Sequence, residues 1–427
     1  MEEIEFLRDV DLPLKVATCE SAVKALTAYM QSGDEQRKKG AGEFESWANQ
    51  MKIFQGALAF FKKSEVIDAR KKLEAQWRND LAKSKSKDIY LNAFTDLSGG
   101  RKDMAKDAAL HHFAVLPQGK LYGLASSLNY FAKATRGKTD DAIQPQVKSF
   151  SNFIEHVLDP ASAPNVDVER VVLTSWLTTA QQQLPADSPF IKAALNGQTP
   201  AEAARHLLEN AEQLTRKDAV IALLSHGATS IDDAKIPLLK LIADLTPIND
   251  NESEHAAQAR CHTALATLER GLEEAYGNAL APEASSTLRL GWGRVQGYTE
   301  DGKNIPWSTT LASMVQLSDA REHKAPYRLS EKFKTAAKDI ALNTPLNFVT
   351  TCDGAPGSSG EPLFTREGDL VGVMFDGNQQ EVPSIYSYIE PEMNGRSIAV
   401  NSAAIWIALE KVYDTKALVE ELKSSSK

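Results

Sequence analysis

Apolar residues recur at three- and four-residue steps through most of the first 280 residues, a spacing that places them on one face of an α-helix. This pattern predicts helices for the segments 19–31, 43–84, 104–115, 143–158, 167–183, 200–213 and 255–279. Ser98–Gly100 and the Asp-, Asn- and Pro-rich segment 244–254 are typical of breaks between helices. No repeat of fixed period is found, which argues against a solenoid.

After Pro282 the pattern changes to short runs rich in β-branched and aromatic residues, separated by Gly and Asp-Gly. Strands are predicted at Ser286–Trp292, Arg294–Tyr298, Asn347–Cys352, Asp369–Phe375 and Arg396–Asn401. Further helices are predicted around 321–341 and at 402–423. The fold class that follows is α+β, with a helical domain at 1–283 and a β-rich domain at 284–427.

Composition narrows the possible functions. The 427 residues include 48 Lys and Arg against 57 Asp and Glu, which leaves a net charge of −9. This balance argues against a general nucleic-acid or anionic-membrane binder, which needs clustered positive charge. Three cysteines are too few for a disulfide framework. The acidic N-terminal sequence does not resemble a secretory signal, and no apolar run reaches the ~18 residues of a membrane span.

The segment from Asp353 to Pro362 contains the most informative motif. Its core has the form Gly-x-Ser-Gly-x-Pro, in which Ser359 is the candidate nucleophile. In such a turn the backbone N–H groups of Gly357 and Ser359 converge on the point where an oxyanion develops during acyl transfer. An ordinary Ser- and Gly-rich hairpin has a similar composition, so the motif alone leaves both interpretations open.

The surrounding sequence resembles the bacterial dipeptidyl-peptidases of the 7- and 11-type family, which are chymotrypsin-like serine exopeptidases. The family pattern is approximately Asp-x-Thr-Gly-Gly-Asn-Ser-Gly-Ser-Pro followed by Gly-x-Leu-x-Gly-x-x-Phe-Asp-Gly-Asn. The matching residues are Asp353, Gly357, Ser359, Gly360, Pro362, Gly368, Leu370, Gly372 and Phe375–Asn378. Leu288–Tyr298 and Ala48–Gly56 resemble two further family segments. The resemblance implies that 284–427 is a chymotrypsin-like β-barrel, the C-terminal half of a double-barrel catalytic domain, preceded by a helical lid domain.

Two features depart from the family pattern. Pro356 and Ser358 replace the family's Gly and Asn beside the serine. The family's catalytic His and Asp lie in a first barrel that precedes the helical domain, whereas this sequence starts within the helical domain. A serine without a general base is a poor nucleophile, so the chain alone is expected to be inactive and the His and Asp to come from a segment outside it.

The resemblance also implies the substrate-binding residues. An exopeptidase that removes dipeptides must bind the free terminal ammonium group, and the family roles place this function on Asp376 and Asn49. The next residue, Gly377, corresponds to a position that selects the second substrate residue. Glycine there supplies no positive charge, which predicts a hydrophobic rather than an acidic preference. An ordinary turn at Asp376–Asn378 is the alternative.

Other motifs are weaker. Ala132–Thr139 partly fits a phosphate-binding loop, but its first Gly is absent and Pro145 argues against a long helix after it. The adjacent pairs His111-His112 and Cys261-His262 lack the i,i+3 or i,i+4 spacing of metal ligands on one helix face. No cofactor and no metal are therefore expected.

The leading hypothesis is a serine dipeptidyl-peptidase that acts on peptides with a free N-terminus. The alternative is a non-catalytic paralogue that binds peptides or a partner. A separate N-terminal barrel segment and a second copy of the chain are possible partners, while nucleic acid is not expected. The resemblance implies a periplasmic or cell-surface location, although the sequence contains no signal peptide.

Overall fold

The structure, a computed structural model, describes residues 1–117, 119–158, 164–277, 290–300, 302–324, 327–352, 354, 357–381 and 394–425, without the side chains of 155–157 and 425. The chain divides into two compact units, Met1–Ala281 and Pro282–Lys427. The predicted domain boundary at 283/284 lies outside the described residues.

The first unit is helical. Its helices are α1 Glu2–Phe6, α2 Leu12–Gln31, α3 Asp34–Phe61, α4 Ser64–Leu81, α5 Lys87–Ala114, α6 Lys120–Thr135, α7 Asp140–Val157, α8 Val166–Gln183, α9 Pro189–Ala194, α10 Pro200–Leu207, α11 Lys217–Leu223, α12 Ala228–Asp233, α13 Pro237–Asn249 and α14 Glu252–Tyr276. A π-helical turn at Leu7–Asp11 joins α1 to α2, and a short 3₁₀ helix at Ala211–Thr215 precedes α11. None of the described helices is long and apolar enough to cross a bilayer.

The helical unit has one main core and a smaller one. In the main core the Phe113 ring lies 5.5 Å from Trp176 and 6.1 Å from Phe190, centroid to centroid, and all three side chains are buried. Large aromatic side chains contribute much of the apolar area removed from water in such a core. A second cluster, which includes Leu81 and Leu268, lies between α4, α5 and α14.

The predicted break at Ser98–Gly100 is wrong, because α5 continues through it. A Cβ on Gly100 would overlap Cys261 Sγ and lie 3.0 Å from Ala257 O. The glycine therefore permits close packing of α5 on α14 rather than ending the helix.

Two predictions that relied on Pro as a helix breaker also need correction. Pro145 lies inside α7, near its start, and Pro247 lies inside α13, near its end. Near a helix end a proline removes one hydrogen bond without disrupting the remaining turns. The predicted loop at 244–254 is consequently only the short link between α13 and α14.

The second unit combines a hairpin, a sheet and short helices. Strands β1 Tyr298–Glu300 and β2 Lys303–Ile305 form the antiparallel hairpin. The antiparallel sheet has the order β3-β4-β7-β6-β5, with β3 Ser308–Thr310, β4 Pro345–Thr350, β5 Pro362–Phe364, β6 Leu370–Gly377 and β7 Ser397–Asn401. The helices are α15 Leu311–Ala320, α16 Glu331–Ala336, α17 Ser402–Ile407 and α18 Lys416–Ser425, with a 3₁₀ turn at Ala337–Asp339 and a π-helical segment at Ala408–Val412.

The strands predicted at Asn347–Cys352, Asp369–Phe375 and Arg396–Asn401 correspond to β4, β6 and β7. Of the strand predicted at Ser286–Trp292, only 290–292 are described, and they are not a strand. Of the strand predicted at Arg294–Tyr298, only Tyr298 lies in a strand, where it begins β1. Val295 forms an isolated bridge to Thr350.

The predicted helix at 321–341 is wrong, because α15 ends before it and α16 starts within it. Glu322 and His323 both have φ above +50°, a conformation that cannot continue a right-handed helix. The helix predicted at 402–423 is likewise divided into α17 and α18, and Asp414 between them has φ +51°.

The chain is therefore mostly helical with small antiparallel sheets, as the α+β class predicts. Within the described part of the chain the sheet is not closed, so the chymotrypsin-like barrel stays a prediction.

Candidate active site

The segment around Ser359 forms a tight turn that is fixed to strand β6. The Gly360 N–H donates to Met374 O at 2.8 Å, and the Met374 N–H donates to Glu361 O at 2.9 Å. Gly357 and Gly360 have φ of +108° and +95°, a region that favours glycine. The two glycines therefore permit the turn that exposes Ser359.

The hydroxyl of Ser359 donates to the carbonyl of Phe375 at 3.3 Å. Phe375 directly precedes Asp376 and Gly377 in β6. The sheet thus brings the predicted nucleophile, ammonium-binding carboxylate and selector glycine to one part of the same unit.

The two backbone N–H groups predicted to bind the oxyanion belong to exposed residues of this turn. Among the described residues, no hydrogen-bond acceptor contacts the N–H of Gly357 or Ser359. Unoccupied N–H groups beside a nucleophile are what an oxyanion site requires. Asp353, and Pro356, which replaces a glycine of the family pattern, lie outside the described residues.

Among the described residues, none is identified as a general base for Ser359. Within the part of the chain that the structure describes, no imidazole is hydrogen-bonded to its hydroxyl. The one histidine in the sequence of the second unit, His323, has Nδ1 3.1 Å from Ser318 Oγ and Nε2 3.6 Å from Asp319. That arrangement closes the C-terminal turn of α15.

Asp376 is exposed, and its Oδ1 accepts the Gly377 N–H at 2.8 Å. An exposed carboxylate at the end of a strand can accept a substrate ammonium group. Asn378, by contrast, is buried and donates to Asn394 O at 2.7 Å. Its Oδ1 accepts the N–H groups of Glu381, at 3.0 Å, and Arg396, at 2.9 Å. The Asp-Gly-Asn motif therefore presents one side chain outward and uses another to hold the adjoining backbone.

Arg396 is a residue that the sequence did not single out. Its guanidinium group, 2% exposed with the rest of the side chain, donates to Gln296 O at 3.0 Å and to Gly297 O at 3.3 Å. These contacts fix the segment before β1 to the start of β7. These contacts could not be predicted from a local pattern, because the partners are about 100 residues apart in sequence.

Asn49 lies on α3 in the helical unit, and its side chain is exposed. Nearby Trp47 is buried and has its ring centroid 6.4 Å from that of Trp176. This packing anchors the helix that carries Asn49. Its role in ammonium binding stays a prediction.

No group of three or more His, Cys, Asp or Glu side chains is arranged to hold a metal ion in the described ranges.

Three comparisons with known proteins place the chain in context. A family model described as Peptidase S46 matches residues 1–424. The chain is 24% identical to the Asp/Glu-specific dipeptidyl-peptidase of Shewanella putrefaciens, over 98% of this chain and 62% of that protein. It is also 24% identical to dipeptidyl-peptidase 7 of Capnocytophaga gingivalis, over 96% of this chain and 59% of that protein. The chain thus spans about six-tenths of the length of these relatives.

Solved structures show the same fold. The structure of Porphyromonas endodontalis DPP11 in complex with the dipeptide Arg-Glu matches with a TM-score of 0.76 and 18% identity, over 99% of this chain and 62% of that one. The structure of the same protein in complex with substrate matches with a TM-score of 0.72 and 17% identity, over 99% and 61% of the two chains.

Proposed function

The chain belongs to the peptidase S46 family, and from that premise we propose that it supplies the nucleophile and the substrate-binding residues of a serine dipeptidyl-peptidase. The observation that carries the proposal is the turn at Ser359, with two backbone N–H groups that no acceptor of the described residues contacts, on the same strand pair as the exposed Asp376. Relatives named as dipeptidyl-peptidases support this reaction class.

In the proposed mechanism Ser359 Oγ attacks the carbonyl carbon of the second substrate residue, and its proton passes to a general base. The N–H groups of Gly357 and Ser359 stabilise the resulting oxyanion. The bond to the third residue breaks as the leaving amine takes a proton, which leaves a dipeptidyl ester on Ser359. Water then hydrolyses this ester and releases the dipeptide.

Asp376 and Asn49 are proposed to bind the terminal ammonium group, so that the enzyme measures two residues from the N-terminus. Gly377 carries no positive charge, which supports a hydrophobic rather than an acidic second residue. The relatives include Asp/Glu-specific enzymes, so the proposed preference rests on Gly377 of this chain and not on those relatives.

Ser359 receives no imidazole from the described residues, and the proposed source of the catalytic His and Asp is a segment outside residues 1–427. The same observation supports the second candidate function, a paralogue that binds peptides or a partner without cleaving them. A periplasmic or cell-surface location and a homodimer also remain proposals.

The test is hydrolysis of dipeptidyl coumarin amides by the chain supplemented with the N-terminal segment of a relative. We expect turnover of substrates with a free N-terminus and little turnover of N-acetylated ones. Ser359→Ala should reduce kcat by roughly four to six powers of ten, and Ser424→Ala on α18 is the matched control. Peptide binding without Ser359-dependent hydrolysis would favour the paralogue.

A further inference from the structure

A carboxylate lies beside Gly377, the residue proposed to select the second substrate residue. A Cβ built on Gly377 would overlap Glu381 Oε2 and lie 3.1 Å from Glu381 Cδ. A Cβ built on Gly354 would lie 3.2 Å from Glu381 Oε1. The Glu381 carboxylate therefore occupies space that two glycines leave, one 18 residues after Ser359 and one five residues before it.

Glu381 is held in this position from both ends. Its backbone N–H donates to Asn378 Oδ1 at 3.0 Å and to Asn378 O at 3.1 Å. Its Oε1 accepts the hydroxyl of Ser397 at 2.5 Å, and the oxygen of this fully buried serine lies 2.9 Å from Cys352 O. The orientation of the carboxylate is thus fixed by the fold.

The carboxylate belongs to the same part of the sheet as the nucleophile. Gly377 pairs with Ser397 in the β6–β7 ladder, and residues paired in this way share one face of a sheet. Phe375, whose carbonyl accepts the Ser359 hydroxyl, is two residues from Gly377 along β6. At ~3.4 Å per residue this is about 7 Å, a distance that a lysine or arginine side chain spans.

We propose that Glu381 is a specificity-determining residue, which makes the site accept basic as well as neutral second residues and reject Asp and Glu. The inference rests on the proposed dipeptidase function and extends it. A fixed carboxylate repels an incoming carboxylate at short range and attracts an ammonium or guanidinium group. The Glu381 carboxylate also makes the space beside Gly377 partly polar.

A purely structural role for Glu381, filling the space beside the two glycines and bonding Ser397, predicts a different result. Glu381→Gln keeps the volume and a hydrogen bond to Ser397 but removes the carboxylate. A structural role would leave the relative preference among substrates unchanged, whereas a specificity role would change it.

The experiment compares kcat/KM for Gly-Lys, Gly-Leu and Gly-Asp coumarin amides, with the same supplemented protein. We expect Glu381→Gln to lower the Lys-to-Leu ratio and raise the Asp-to-Leu ratio, each by at least about tenfold, or ~1.4 kcal/mol. Glu367→Gln, an exposed glutamate in the turn before β6, is the matched control and should change neither ratio. Unchanged ratios in Glu381→Gln would overturn the proposal.

A binding measurement separates this inference from the proposed function. If no dipeptidyl substrate is hydrolysed, the dipeptidase proposal fails, and the affinities of free Gly-Lys and Gly-Asp for the full chain decide the role of Glu381. Tighter binding of Gly-Lys that is lost in Glu381→Gln supports it. Equal affinities for both dipeptides in the unmodified chain contradict it.

Discussion

Asp376 is the side chain on which the exopeptidase interpretation depends most, because an endopeptidase needs no ammonium site. Asp376→Asn retains an oxygen for the Gly377 N–H but removes the negative charge. A hydrogen bond to a charged group contributes about 1.5–3 kcal/mol, so kcat/KM for free-amine substrates should fall roughly tenfold to a hundredfold. Steady-state kinetics with Asp369→Asn, an exposed aspartate in the preceding turn, as the control would test this. An unchanged kcat/KM would remove the ammonium role.

Gly377 and Glu381 are expected to act together. An arginine introduced by Gly377→Arg would meet the Glu381 carboxylate before it meets a substrate. The single substitution should therefore shift preference toward Asp and Glu only weakly, and Gly377→Arg combined with Glu381→Gln should shift it further. Kinetics of the two single variants and the double variant with Gly-Asp and Gly-Leu amides would measure this coupling. If the free-energy change of the double variant, from kcat/KM, equalled the sum of the two single changes, the two side chains would not interact.

Among the helices, the contact of α3, α6 and α8 contains an unusual pair of acids. Burial, and secondarily the nearby charge of Glu43, raise the pKa of Glu169 from 4.5 to about 8. A backbone N–H of Leu121 opposes this shift. Glu169 is 3% exposed, so its ionisation is coupled to the stability of the helical unit.

The sign of this coupling follows from the higher pKa in the folded state. Between pH 4.5 and about 8 the folded protein keeps the Glu169 proton that the unfolded chain has lost, so stability falls as pH rises through this window. Glu169→Gln should flatten this dependence and stabilise the protein at pH 8 by on the order of a few kcal/mol. Urea unfolding at pH 5 and pH 8.5 would measure it, with the exposed Glu45 on α3, changed to Gln, as the control. An equal loss of stability with pH in Glu169→Gln and the unmodified protein would contradict it.

The individual elements also show which features a sequence can predict. The turn at Ser359 and strand β6 were predicted because glycine positions and β-branched runs are local signals. The roles of Arg396, Ser397 and Glu381 were not predicted, because the β6–β7 pairing brings them to residues distant in sequence. Ser98–Gly100 and Pro145 misled the prediction of helices, since packing and position within a helix override the average tendency of Gly and Pro.

The molecule as a whole consists of two units, and Ser359 lies in the second. The chain spans about six-tenths of the length of its relatives. We predict that residues 1–427 alone show no appreciable dipeptidase activity, because no imidazole of the described residues is hydrogen-bonded to Ser359, and that adding a relative's N-terminal segment restores turnover. Hydrolysis by the chain alone that Ser359→Ala abolishes would show that one of its own histidines acts as the base.

The central claim, that Ser359 is acylated, is tested most directly by covalent labelling. A dipeptidyl diphenyl phosphonate with a free N-terminus should react with the supplemented protein, forming a phosphorus–oxygen bond to Ser359 and releasing phenol. Mass spectrometry of the peptide that contains both Ser358 and Ser359 locates the adduct. We predict an adduct on Ser359 that is absent from Ser359→Ala, retained in Ser358→Ala and suppressed by competing dipeptide. An adduct on another residue, or none while a relative is labelled under the same conditions, would contradict the account.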